Sequence, residues 1–129
     1  MKVVVDTSVL IDHLRGDARA ASLLRRRVEA GDELWSVTPV RTEILAGMRP
    51  KEASATLALL DSLSWQEVTV AVADHAGALA GRYLRSHPGV DTIDYLIAAT
   101  VELLSAELLT QNVKHFPMFR GLLAAYRAD

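Results

Sequence analysis

Short apolar runs alternate along this chain with stretches whose apolar residues recur every three or four positions, as strands interleaved with amphipathic helices do. Val3-Val4-Val5 suits a strand covered on both faces. Val9, Leu10 and Leu14 then mark a helix that stops near Arg15-Gly16. Asp17 can cap a second helix over Ala18–Ala30, with Ala21, Leu24 and Val28 inward and Leu23 widening the stripe. Gly31-Asp32 turns the chain into a strand at Leu34-Trp35-Ser36-Val37. Thr38 as N-cap and Pro39 in the first turn open a helix carrying Val40, Ile44, Leu45 and Met48. Gly47-Met48-Arg49-Pro50 breaks it, and Lys51–Leu63 resumes with Ala53, Leu57, Leu60 and Leu63 inward, predicting a helical hairpin on the sheet edge.

Trp65–Val72 is the third strand candidate, with Gln66 and Glu67 pointing to an exposed edge, and Ala73–Ser86 reads as an Ala- and Gly-rich helix. Pro88-Gly89 turns into a helix that begins near Asp91 or Thr92 and buries Ile93, Leu96, Ile97, Thr100, Val101 and Leu104. Glu107–Thr110 reads as the last central strand, Pro117 closes any helix, and Gly121–Tyr126 is expected to form a final short helix or strand. Such alternation predicts an α/β fold, with helices flanking a central, mostly parallel sheet of four to five strands.

The 129 residues, half of them hydrophobic, suffice for one domain with a proper core. No apolar run approaches a membrane span and no signal-peptide pattern opens the chain, so a cytoplasmic protein is expected. The lack of cysteine excludes disulfides, thiolate catalysis and sulfur-held zinc, leaving oxygen ligands or the four histidines for any metal. A net charge of −2 argues against nucleic acid only until its distribution is considered. If four acids neutralise a metal, 16 − 4 leaves 12 acids against 14 basic residues. Five arginines between positions 15 and 27 form the most basic region, either a face for phosphates or an ordinary solvated helix surface.

Asp6 stands where the first strand ends, the edge at which open α/β sheets bind ligands; it is equally a helix cap. Glu43 sits in the helix after the second strand, ahead of the small residues Ala46 and Gly47. Most helical glutamates simply face water. Asp91 and Asp94 share the first turn of their helix, where capping and cation binding make the same demand for carboxylates. Thr110 and Asn112 reach another strand end with neutral oxygens. His115, beside Phe116, reads as a packed or surface histidine, since no second histidine stands at ligand spacing. Carboxylates gathered at one rim repel unless a cation lies among them, and an oxygen-only set suits Mg²⁺ or Mn²⁺.

Val4-Val5-Asp6-Thr7-Ser8, Glu43 in its helix, Asp94-Tyr95-Leu96-Ile97-Ala98-Ala99 and Leu109-Thr110-Gln111-Asn112, in that order, resemble the PIN-domain family. More narrowly, the whole chain resembles VapC toxins of bacterial type II toxin–antitoxin pairs. The resemblance implies one three-layer PIN-like domain over residues 1–129 and metal-dependent cleavage of RNA. It further implies a homodimer, a hetero-oligomer with a VapB-like antitoxin that inhibits the toxin, and no membrane. Asp6 and Asp94 match the metal-binding carboxylates and Glu43 the third acid, while Thr7 and Ser8 match the hydroxyl positions beside the first. Asn112 departs from the pattern, because many members place an aspartate there; Asp91 is the candidate to supply that charge. Arg15 and Lys114 are the candidate RNA-phosphate contacts.

Three other readings compete. A haloacid-dehalogenase-type phosphatase would need a second aspartate where Ser8 stands, and a receiver domain would need an acidic pair beside the first strand. A non-catalytic RNA- or antitoxin-binding module would keep the fold without turnover.

Overall fold

The computed structural model describes residues 1–127, in which four strands and six α-helices follow one another in the predicted alternation. Strand β1 (Lys2–Val5) leads through α1 (Thr7–Leu14) and α2 (Ala18–Glu29) to β2 (Glu33–Val37). Helices α3 (Thr38–Ala46) and α4 (Ala53–Asp61), joined by a 3₁₀ turn at Pro50–Glu52, precede β3 (Ser64–Gln66). Helices α5 (Val70–Tyr83) and α6 (Thr92–Leu103) precede β4 (Glu107–Leu109). All pairings are parallel, in the order β3-β2-β1-β4.

That order places β1 at the point where the winding reverses. The connections from β1 to β2 to β3 step in one direction, and the connection from β3 returns across the sheet to β4. Right-handed crossovers therefore put α1 to α4 on one face and the packed pair α5 and α6 on the other. Val3, Val4 and Val5 are wholly buried between these layers, each contributing roughly 1.5 kcal/mol or more over exposure. Beyond the carboxyl ends of β1 and β4 lies the switch-point crevice in which open α/β sheets place ligands.

Several local features follow from single residues. Gly16 ends the first helical segment with φ of 85°, a conformation that costs glycine little. The Asp17 side chain accepts from the Arg19 N–H at 2.9 Å and caps α2 as expected. The α3 and α4 hairpin forms, and Trp65 Nε1 donates to the Leu60 carbonyl at 2.9 Å, tying α4 to the edge strand.

Other expectations are corrected. The third strand has only three residues, because the Thr69 hydroxyl accepts from Val72 N–H and starts α5 at Val70. The N-cap of α3 is Val37, with Thr38 already helical. In α2 the buried positions are Ala20, Leu23 and Leu24, and Val28 is exposed; in α4, Thr56, Leu59 and Leu60 are buried while Leu57 is exposed. Leu45 is likewise exposed. The tail from Gly121 to Tyr126 forms neither helix nor strand.

Candidate active site

Asp6 is the first residue past β1, and its backbone N–H continues the ladder to the Leu109 carbonyl at 2.9 Å. The neighbouring Val5 carbonyl accepts from the buried Ser36 hydroxyl at 3.0 Å, so the strand end is held from both sides. Asp6 is 3% exposed. Its Oδ2 accepts two hydroxyl protons, from Ser8 at 2.8 Å and Thr110 at 2.7 Å. Each hydroxyl in turn accepts a backbone N–H, Ser8 from Gln111 at 3.1 Å and Thr110 from Asn112 at 2.9 Å. A hydroxyl has one proton, so a donor aimed at its lone pair leaves that proton for the carboxylate. Oδ1 has no hydrogen-bond partner among the described residues.

Asp94 and Asp91 open α6 as a reciprocal capping box. Asp91 Oδ1 accepts from Asp94 N–H at 3.0 Å, and Asp94 Oδ2 accepts from Asp91 N–H at 3.1 Å. Burial of Asp94 is the largest influence on its pKa, opposed by the Asp91 N–H and reinforced by the negative Asp91; the carboxyl is pushed up to about 6. His115 Nδ1 lies 3.2 Å from Asp94 Oδ2 and favours the ionised form. Glu43, exposed on α3, accepts from the Thr7 hydroxyl at 3.0 Å.

One cavity of about 230 Å³ takes its walls from Asp6, Thr7, Ser8, Glu43, Asp91, Asp94, Asn112 and His115, with Ile11, Ile93 and Ile97 as the apolar part. The four candidate acids, from three separate regions of the chain, therefore share one site. Thr110 stands behind Asp6 and supports it from a buried position. Arg15 lies outside this cavity, in a larger adjoining cleft of about 480 Å³ that shares Ile11 and Glu43 with it. Lys114 is exposed on the 3₁₀ turn Val113–His115 and does not line the acid cavity.

His115 is part-exposed and lines the cavity beside Asp94, a place that apolar spacing does not reveal. In a 3₁₀ turn residues three apart eclipse one another, so the turn after β4 sets Asn112 and His115 on the same side. The other arginines of the basic region are engaged elsewhere: Arg27 with Asp32 and Glu107, Arg19 with Asp17 and the Tyr126 ring, Arg25 near Glu29 and Arg26 on the Ser22 carbonyl.

The donor set is all oxygen apart from His115, which suits a hard divalent cation. As the side chains stand, no three acids or histidines among the described residues are gathered at ligand spacing. The fit is one of donor chemistry and shared cavity.

Comparisons with known proteins bear on the family and the fold. The PIN domain family model matches residues 3–117. The chain is 46% identical over 123 residues to Ribonuclease VapC19 of Mycobacterium tuberculosis, covering 95% of this chain and 98% of that protein. It is 41% identical over 120 residues to Ribonuclease VapC10 of the same organism, covering 93% and 90%. Among solved structures, VapBC2 from Rickettsia felis bound to a DNA fragment from its promoter matches with a TM-score of 0.77. That match has 16% identity and covers 96% of this chain and 97% of that one. The low identity makes this a likeness of fold. From the family model and the two mycobacterial relatives together, this chain belongs to the PIN-domain family.

Proposed function

We propose that this chain is a VapC-type toxin, a ribonuclease that hydrolyses RNA phosphodiester bonds with a divalent cation and is restrained by a VapB-like antitoxin. The observation that carries this reading is the convergence of Asp6, Glu43, Asp91 and Asp94 on one cavity at the switch point of the sheet. Asp6 and Asp94 would hold the ion, with Glu43 and Asp91 completing its negative surroundings; Mg²⁺, or Mn²⁺ in its place, matches the oxygen donors. When bound, the ion supplies stabilisation of charge building on the phosphate and eases deprotonation of the attacking water.

The chain's own residues do the rest. The Ser8 and Thr110 hydroxyls hold one oxygen of Asp6 and leave the other uncommitted. Thr7 holds Glu43 beside the cavity, and His115 steadies the Asp94 carboxylate. The isoleucines at positions 11, 93 and 97 limit water around the acids. The adjoining cleft, with Arg15 and Lys51 among its walls, suits the flanking nucleotides. Lys114 adds a positive charge on the exposed turn that carries His115. Such contacts strengthen binding without reading sequence. We place the protein in the cytoplasm, as a homodimer that assembles with its antitoxin; no helix among the described residues is long and apolar enough to cross a membrane.

An RNA-cleavage assay with Mg²⁺, run with and without EDTA, tests the reading. The parent chain cuts and EDTA abolishes cutting, while Asp6→Ala and Asp94→Ala each lower the rate at least about a hundredfold. RNA binding without cutting would select a non-catalytic module, and cutting that survives both substitutions would place the chemistry elsewhere.

A further inference from the structure

The segment Thr110-Gln111-Asn112 has two sides, and only one of them faces the acids. On that side the N–H groups of Gln111 and Asn112 direct the Ser8 and Thr110 hydroxyl protons onto Asp6. On the other side Thr110 and Gln111 are gripped by the end of the described chain. Ala125 N–H donates to the Thr110 carbonyl at 2.9 Å, as a further strand would. The Gln111 side chain closes a two-bond ring on one backbone unit: its Nε2 donates to the Tyr126 carbonyl at 2.9 Å, and its Oε1 accepts from the Tyr126 N–H at 3.1 Å. The Tyr126 hydroxyl donates to Asp12 on α1, and the Arg19 guanidinium lies 5.4 Å from the centre of its ring.

We propose that Gln111 is a positioning residue for RNA cleavage: gripping Tyr126 from its side chain, it fixes the 110–112 segment and thereby holds the Ser8 and Thr110 hydroxyls on Asp6. The inference rests on the nuclease reading above and adds to it a residue that touches neither substrate nor ion. Its physical basis is the geometry of relays. A hydroxyl rotor points its proton where the neighbouring donor leaves room, so a displaced Gln111 or Asn112 amide frees the rotor and lets the carboxylate turn. Small misplacements of a reacting site are expensive in rate although they leave binding nearly untouched.

Gln111→Met keeps the length and bulk of the side chain and removes both bonds to Tyr126. In the metal-free protein, amide exchange at Gln111 and Asn112 quickens by about tenfold while amides of β1 and α6 keep their protection. With Mg²⁺ and RNA, kcat falls about tenfold and KM stays within about twofold. Added to Ser8→Ala, the same substitution costs less than it does alone, because the Ser8 arm is already gone and only the Thr110 arm remains to be loosened. Unchanged exchange, an unchanged kcat, a loss confined to KM, or effects that simply multiply with Ser8→Ala would each overturn the proposal. Should Gln111→Met fail to fold, Tyr126→Phe loosens the same tail by removing only its bond to Asp12. It then shows the same pattern at smaller amplitude, and parental exchange and kcat in that variant would overturn the proposal. A parent chain that never cuts RNA would sink the nuclease reading, and the exchange measurement would still judge the grip on its own.

Discussion

Asp94 carries the clearest electrostatic consequence of the site. Its carboxyl is raised from 3.8 to about 6, chiefly by burial, so the folded metal-free protein binds its proton more tightly than the unfolded chain does. The stability this confers is fully present below pH 3.8 and is lost as pH rises through about 6. Near pH 7 the ionised, buried carboxylate is therefore a burden that a cation would lift. Thermal melts of the metal-free protein should show Asp94→Asn more stable than the parent at pH 7 and little different at pH 4. Excess Mg²⁺ should raise the parent's Tm more at pH 7 than at pH 5, because the ion competes with the proton at low pH. Equal shifts at both pH values would remove Asp94 from the ion's surroundings. At this scale the sequence was informative wherever a residue's place follows from a strand end: Asp6, Thr7 and Ser8 were legible for that reason. Asp91 and Asp94 were legible because a helix start wants acids whether or not they bind anything. His115 was not, since its approach to Asp94 depends on a short 3₁₀ turn that apolar spacing does not reveal.

Among the elements, the amino-terminal ends of the strands are held by charge where the carboxyl ends are held open for chemistry. Arg27 of α2 donates to Asp32 Oδ2 at 2.7 Å before β2 and to Glu107 at the start of β4, and the chain's amino group lies 3.4 Å from Asp32 Oδ1. The Arg27 hydrogen bond holds the Asp32 carboxyl below its ordinary 3.8, so that contribution is present above pH 3.8 and fades as pH falls further. Arg27→Met should lower Tm by about 5 °C near neutrality, the difference shrinking in acid, with the initial rate of RNA cleavage at 25 °C unchanged. A parental Tm at neutral pH would show the network to be mere surface pairing. Element type was readable along most of the chain, because short β-branched runs and three- to four-residue spacing are local signals. Faces were harder to assign. Leu57 and Leu60 look equivalent in a stripe, yet a packed helix buries only the side its neighbours cover, and Leu57 is left outside. The third strand was overextended because Val68, Val70 and Val72 alternate as a strand would, while Thr69 supplies a cap that converts the last part to helix.

For the whole molecule, the order β3-β2-β1-β4 turns dispersed residues into a site. Only a sheet whose winding reverses beside β1 brings the ends of β1 and β4 together, and only then do Asp6 and Thr110 meet across 104 positions of chain. The parallel fold was expected from the alternation, but the strand order was not written in any local pattern. The resemblance to the PIN-domain family anticipated which acids share a rim; geometry added the hydroxyl relay behind Asp6 and the tail that grips it. The central claim is that these carboxylates jointly hold a divalent cation, and calorimetric titration of the metal-free protein with Mn²⁺ tests it most directly. The parent should show saturable binding that Asp6→Asn and Asp94→Asn each weaken at least about tenfold, with Asp91→Asn costing more than Asn112→Ala. Parental binding in both the Asp6 and the Asp94 variants would contradict the account.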